Sequence, residues 1–164
     1  MRCYDYVNHP YDAVREALGG DTVGVFRDAT RAASERSKSL EAELSVNIGG
    51  VQVGTEVTIQ VHQVLERPAH GKTPPMTVID LEWAATNLPG LFPLMQAQLL
   101  VYPLTSTETQ LELSGTYDVP LGVLGGAVDA LVGHRVAEAS VDRFIKHVAG
   151  HLRQSLSETP RPNT

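Results

Sequence analysis

Hydrophobic and polar residues alternate with a period of two through most of the middle of this chain, and with a helical period at its C-terminal end. Leu40, Ala42, Leu44, Val46 and Ile48 alternate with Glu41, Glu43, Ser45 and Asn47, which predicts a half-buried strand over residues 40–48. Gly49-Gly50 follows as a two-residue hairpin turn, because such turns need φ > 0 and glycine reaches it without strain. The return strand, 51–61, places Val51, Val53, Val57, Ile59 and Val61 opposite Gln52, Glu56, Thr58, Gln60 and His62. In 77–85, Thr77, Ile79, Leu81, Trp83 and Ala85 alternate with Val78, Asp80, Glu82 and Ala84. Residues 94–104 are more continuously apolar, as in a strand partly covered on both faces, and either Met95 or the pair Gln96 and Gln98 faces inward. Thr109, Leu111, Leu113, Gly115 and Tyr117 line one face of a last strand, and residues 2–7 (RCYDYV) read as the first.

Helices fit into the remaining stretches. Asn8-His9-Pro10 stops the first strand and caps a helix over 11–18, which Gly19-Gly20 ends. Asp21 or Thr22 caps a second, more polar helix through Phe26, Ala29 and Ala33 toward Ser34. Residues 68–75 hold glycine and proline and read as a loop, and Asn87-Leu88-Pro89-Gly90 turns the chain again. Pro120-Leu121-Gly122 introduces a long helix reaching about residue 154, about 48 Å if straight. The tail, 155–164 (SLSETPRPNT), is polar and proline-bearing and is expected to be disordered. The prediction is one α+β domain over 1–154: an antiparallel sheet of about six strands, two short helices after the first strand, and a long C-terminal helix packed across the sheet.

The final helix carries one apolar sector: Val123, Ala127, Ala130, Leu131, Ala137, Val141, Phe144, Ile145, Val148 and Leu152. Asp129, Arg135, Asp142, Arg143, Lys146, His147 and Arg153 lie opposite. Val132 and Val136 fall outside the sector, so a short helix or another subunit, as in a homodimer, would cover that flank. His134 contradicts its place near the centre of the apolar face. An imidazole buried without a partner costs roughly 1–3 kcal/mol. It is either a core histidine satisfied by a carbonyl or a tyrosine, or a polar anchor in a cavity between helix and sheet. Glu138, one turn on, is within reach of His134 or of Arg135.

Composition narrows the partners. A net charge of −6, with Lys and Arg scattered, argues against nucleic acid and against docking on anionic lipid. No segment approaches the ~18 apolar residues of a membrane span. The single cysteine, Cys3, forms no internal disulfide, and no signal sequence precedes it, so a reducing cytoplasm is the expected compartment. Aromatic residues are only 5%, so a cavity would have mainly aliphatic walls.

The run Gly115-Thr-Tyr-Asp-Val-Pro-Leu-Gly-Val-Leu-Gly125, leading into a helix over 129–152, resembles the C-terminal signature of the START and polyketide-cyclase-like (SRPBCC) superfamily. Residues 99–104, followed by Thr107-Glu108-Thr109-Gln110, are similar to its penultimate hairpin. The resemblance implies a helix-grip fold, a bent antiparallel sheet wrapped around the long helix with a hydrophobic cavity between them. It further implies binding of lipids, sterols, polyketides or other apolar molecules, with a minority of cyclases, aromatases and hydrolases. It carries no catalytic signature.

The inward register nominates Trp83, Met95, Leu99, Leu113, Tyr117, Leu131 and His134 as the lining, since apolar walls with a few convergent polar groups are typical of small-molecule sites. These residues would equally serve as plain core. The leading reading is a non-enzymatic binder of a small apolar ligand, without cofactor. Its alternative is a cyclase or dehydratase with His134 as general acid or base and Tyr117 as hydrogen-bond donor. His147 and His151 have the i, i+4 spacing of a metal pair but no third ligand beside them, so no metal is expected. Ser114-Gly115 lacks the glycine spacing of a nucleophile elbow, and the glycines at 122, 125 and 126 lack a phosphate-loop lysine.

Overall fold

A strand with one apolar face must pair along its edges and cover that face, and the helices supply the cover. The computed structural model describes residues 1–20, 24–27, 29, 57–85, 94–118 and 127–158, with backbone alone at 57–59, 83–85, 94, 117–118, 127–137 and 139–140. Five strands, β1 (Arg2–Val7), β2 (Val57–Arg67), β3 (Met76–Ala85), β4 (Leu94–Pro103) and β5 (Thr109–Asp118), form an antiparallel sheet in the order β1-β5-β4-β3-β2. Helix α1 covers residues 11–20, residues 24–27 are also helical, and α2 runs from Ala127 to Glu158. The predicted strand 40–48 and the Gly49-Gly50 hairpin lie outside the described residues, as does most of the second short helix.

Period-two alternation sets the inner face. Thr77, Ile79 and Leu81 of β3, Met95, Ala97, Leu99 and Val101 of β4, and Thr109, Leu111 and Leu113 of β5 are all buried. Gln96 and Gln98 are exposed, so Met95 is the inward residue at the start of β4. The apolar character of β4 is only partly matched by cover on its outer face, where Leu100 and Tyr102 are half-buried. Val78 is buried on that outer face, in the row Leu65, Val78, Leu100.

Three boundaries differ from the sequence reading, each for a local reason. Strand β2 continues to Arg67 because the register slips between Val61 and Gln63. This bulge takes up His62 and returns Val64 to the inner register opposite Ile79, which breaks the simple alternation. Helix α1 runs through Gly19 and Gly20, where an added Cβ would meet nothing. Helix α2 continues to Glu158 instead of giving way near Gln154 to a disordered tail. Leu156, one turn past Leu152, packs on the core, and the Ser155 and Ser157 hydroxyls donate to the carbonyls of Leu152 and Arg153.

The second half of α2 holds the layers together. Val141, Phe144, Ile145, Val148, Ala149 and Leu152 are buried in one cluster with Leu99, Leu111 and Leu113 of the sheet. Phe26, from the helical residues 24–27, meets Phe144 with ring centroids 5.8 Å apart. Helix α1 adds Val14 and Leu18 to the same cluster, and the Tyr11 hydroxyl bonds the Thr77 hydroxyl at 2.8 Å inside it. Each such apolar side chain contributes about 1.5–3 kcal/mol through burial.

Two substitutions test this packing in urea unfolding. Phe144→Ala removes the ring shared by α2 and residues 24–27, and should cost about 3–5 kcal/mol. At Gly115, an added Cβ would fall 2.7 Å from the Gln96 carbonyl oxygen and 2.9 Å from the Ala97 Cβ. Gly115→Val should therefore destabilise by about 1–3 kcal/mol through overpacking. A neutral result at either position would contradict the close approach described.

Candidate functional site

Antiparallel pairing arranges the inner face in cross-strand rows. One row reads Val64, Ile79, Leu99, Leu113, Cys3. The next reads Val61, Leu81, Ala97, Gly115, and Met1 extends it by exchanging backbone hydrogen bonds with Gly115. The third reads Ile59, Trp83, Met95, Tyr117. Side-chain bulk falls from the first row to the second, where Ala97 and Gly115 stand side by side.

Helix α2 crosses these rows in a direction set by two contacts. The Cys3 Sγ lies 4.0 Å from the Val141 carbonyl oxygen, and Arg153 reaches the backbone of Tyr6. The helix thus ascends with β1, and its C-terminal half closes the β1 end of the inner face. Leu99 and Leu113 belong to that closed part, at most 1% exposed within the core cluster. Met95 is buried in the same cluster at its other end, with Leu81 and Ala97.

Of the seven nominated residues, the register brings Trp83, Met95 and Tyr117 into one row and Leu99 and Leu113 into another. Leu131 and His134 lie on α2, before Val141. The side chains of Trp83, Tyr117, Leu131 and His134 are outside the described residues. So are those of Val132 and Val136, the flank singled out for a partner.

A polar cluster that the sequence reading passed over lies at the opposite end. Asp5 occupies the inward register of β1 between Cys3 and Val7, and Arg153 of α2 pairs with its carboxylate. The same guanidinium donates to the Tyr6 carbonyl, through Nε at 3.0 Å, and stands 5.4 Å from the centroid of the Tyr6 ring. An acidic residue at an inward strand position was the available signal, since a buried carboxylate requires a partner. Asp5, Tyr6, Asn8, Glu108, Lys146 and Arg153 line an open surface cleft of mixed charge there. Its two acids and two bases balance, and Lys146 is bonded to Asp142 at 2.8 Å.

Cys3 is half-buried, and its thiol is pushed up to about 11, first by burial and then by the negative charge of Asp142. It is therefore a protonated thiol at neutral pH and a poor nucleophile. His147 and His151 are half-buried on α2, and among the described residues no group of three His, Cys, Asp or Glu side chains converges as a metal site would require. No helix among the described residues is long and apolar enough to cross a membrane.

No family model matches the chain, and no curated protein matches it in sequence. Solved structures do match in fold. The Zhui aromatase/cyclase from Streptomyces sp. R1128 superposes with a TM-score of 0.57 at 15% identity, over 95% of this chain and 94% of that one. A protein from Thermus thermophilus gives 0.48 at 14% identity over 94% and 97% of the two chains. Ara h 8.0201 gives 0.47 at 8% identity, again over 94% and 97%. The first of these, with the strand order and the final helix, shows a helix-grip fold.

The raised thiol has a direct test. Alkylation of Cys3 in the folded protein should stay slow at neutral pH and keep accelerating up to about pH 11. A rate that levels off at the ordinary cysteine range, about pH 8.5, would contradict the burial described.

Proposed function

We propose that this chain binds a small apolar or amphipathic molecule, lipid-, sterol- or polyketide-like, between its sheet and the N-terminal half of α2. The observation that carries this reading is the division of the inner face. Over β1 and the adjoining part of β5, Phe144, Ile145, Val148 and Leu152 are at most 1% exposed and leave no room for a guest. The row Trp83, Met95, Tyr117 lies beyond that plug, toward the start of α2.

Simple lengths support placing His134 at this row. His134 precedes Val141 by two helical turns, about 10 Å along the axis. Tyr117 lies beyond Leu113 by about 13 Å of strand. Cys3 is the row-mate of Leu113 and meets Val141, so the two distances start from nearly the same level. His134 is then the polar anchor for a ligand whose body lies against Met95 and Trp83, with Leu131 completing the apolar wall. Tyr117 supplies a second polar tip. The lone cysteine suits a reducing, cytoplasmic setting, and no cofactor is needed for binding of this kind.

A second reading is favoured by the likeness to the Zhui aromatase/cyclase. In it the same cavity performs a cyclisation or dehydration, with His134 as general acid or base and Tyr117 as hydrogen-bond donor. A base in that role must come within about 3 Å of the proton it takes. Turnover that survives His134→Ala would reject the assignment.

Binding is tested by native mass spectrometry of the purified protein, where a non-covalent adduct released by solvent extraction is expected. Trp83 is the one tryptophan in the chain, so its emission reports on the proposed cavity alone. Titration with a naphthalene sulfonate probe should quench it saturably, and His134→Ala should weaken the probe by roughly fivefold to tenfold, as loss of one hydrogen bond does. A folded protein whose Trp83 emission ignores every apolar probe would overturn the reading.

A further inference from the structure

Strand β1 stands at the edge of the sheet and pairs only with β5 among the described residues. Met1 and Gly115 exchange both backbone hydrogen bonds, so the narrow pairs of this ladder are Met1, Cys3, Asp5 and Val7 with their β5 partners. By the same alternation, the N–H and C=O groups of Arg2, Tyr4 and Tyr6 point away from β5, toward the open edge. Tyr4 and Tyr6 also carry exposed rings, at 67% and 53%. Six residues of edge strand with exposed aromatics are a template for pairing with another chain.

One position on that edge is occupied. The Tyr6 N–H donates to the Asp5 carboxylate at 2.7 Å, and the Tyr6 carbonyl accepts from the Arg153 guanidinium. Arg153 and Asp5 bond each other, so the two side chains close a ring around the backbone of Tyr6. Arg153 comes from α2, which ties the cap to the seating of the helix. An ordinary surface ion pair contributes little to stability. This one consumes both hydrogen-bonding groups of an edge residue, which a surface pair does not do.

We propose that Arg153 and Asp5 are an edge cap, which keeps β1 from adding the β1 strand of a second copy of this chain. Without the cap, two β1 strands pair antiparallel about Tyr4. Tyr4 then faces Tyr4 of the second copy, and Arg2 of each faces Tyr6 of the other. The ring contact that Arg153 makes with Tyr6 is thereby replaced by Arg2. With the cap in place, only Arg2 and Tyr4 of this strand offer edge backbone groups without a partner among the described residues, too short a stretch for stable addition.

Sedimentation velocity of three proteins tests this. Arg153→Met should move the protein one association step above the wild type at micromolar concentration. Adding Tyr4→Pro to that variant should reverse the step, because the proline removes an N–H from the open edge and none from the ladder with β5. An Arg153→Met protein that is folded and sediments as the wild type does overturns the proposal. So does a step that Tyr4→Pro leaves in place. Amide exchange on the wild type decides the matter even if Arg153→Met does not fold. The Tyr6 amide should exchange at least roughly tenfold more slowly than the Tyr4 amide, and equal rates overturn the cap.

Discussion

Burial of one stripe on the C-terminal half of α2 is the interaction on which the rest of this structure depends. Val141, Phe144, Ile145, Val148 and Leu152 face β1 and β5, and Phe144 also receives Phe26 from the helical residues 24–27. Removing the stripe would leave three elements without a common partner. The sheet would lose the cover on Leu111 and Leu113, and β1 would be left with β5 alone. Because the stripe is filled to the last side chain, it also decides where a guest molecule has no place. The proposed binding function therefore falls to the other half of the helix.

That division follows from side-chain volume. The row carrying Leu99 and Leu113 is matched by large residues of α2, while the next row narrows to Ala97 and Gly115. Gly115 is required there, since the Gln96 carbonyl occupies the space a Cβ would need. Beyond it, the register aligns Trp83, Met95 and Tyr117 in one row. A closed end beside a row of small side chains suits the wall of the proposed apolar ligand site, and the helix-grip fold is compatible with it.

Much of this was legible in the chain because period-two alternation is a direct record of burial. The bounds of β1 and the inward faces of β3 and β5 follow from it, and the stripe on the C-terminal half of α2 follows in the same way from the helical period. Other features escaped for identifiable reasons. The bulge at His62 shifts the register by one residue, so Val61 and Val64 both fall in the inner-face rows although three positions separate them, and both are exposed. The end of α2 eludes the pattern because Leu156 stands among serines, and one apolar residue is a weak periodic signal. Arg153 sits on the polar side of the helix, where a charged residue needs no explanation. Its role emerges only when Asp5, inward on a strand far away in sequence, is seen beside it. Of the nominated lining, the sequence alternation records only the shared row of Trp83, Met95 and Tyr117, because cross-strand pairing fixes neighbours and not the volume in front of them.

The central claim is that the guest lies against the Trp83 row and not in the open charged cleft at Arg153. Fluorine NMR of protein labelled with 5-fluorotryptophan measures this directly, because Trp83 gives the only tryptophan resonance. Titration with a medium-chain fatty acid should shift that resonance saturably, and the shift should persist in Arg153→Met. A resonance that stays fixed while the fatty acid binds would contradict the account.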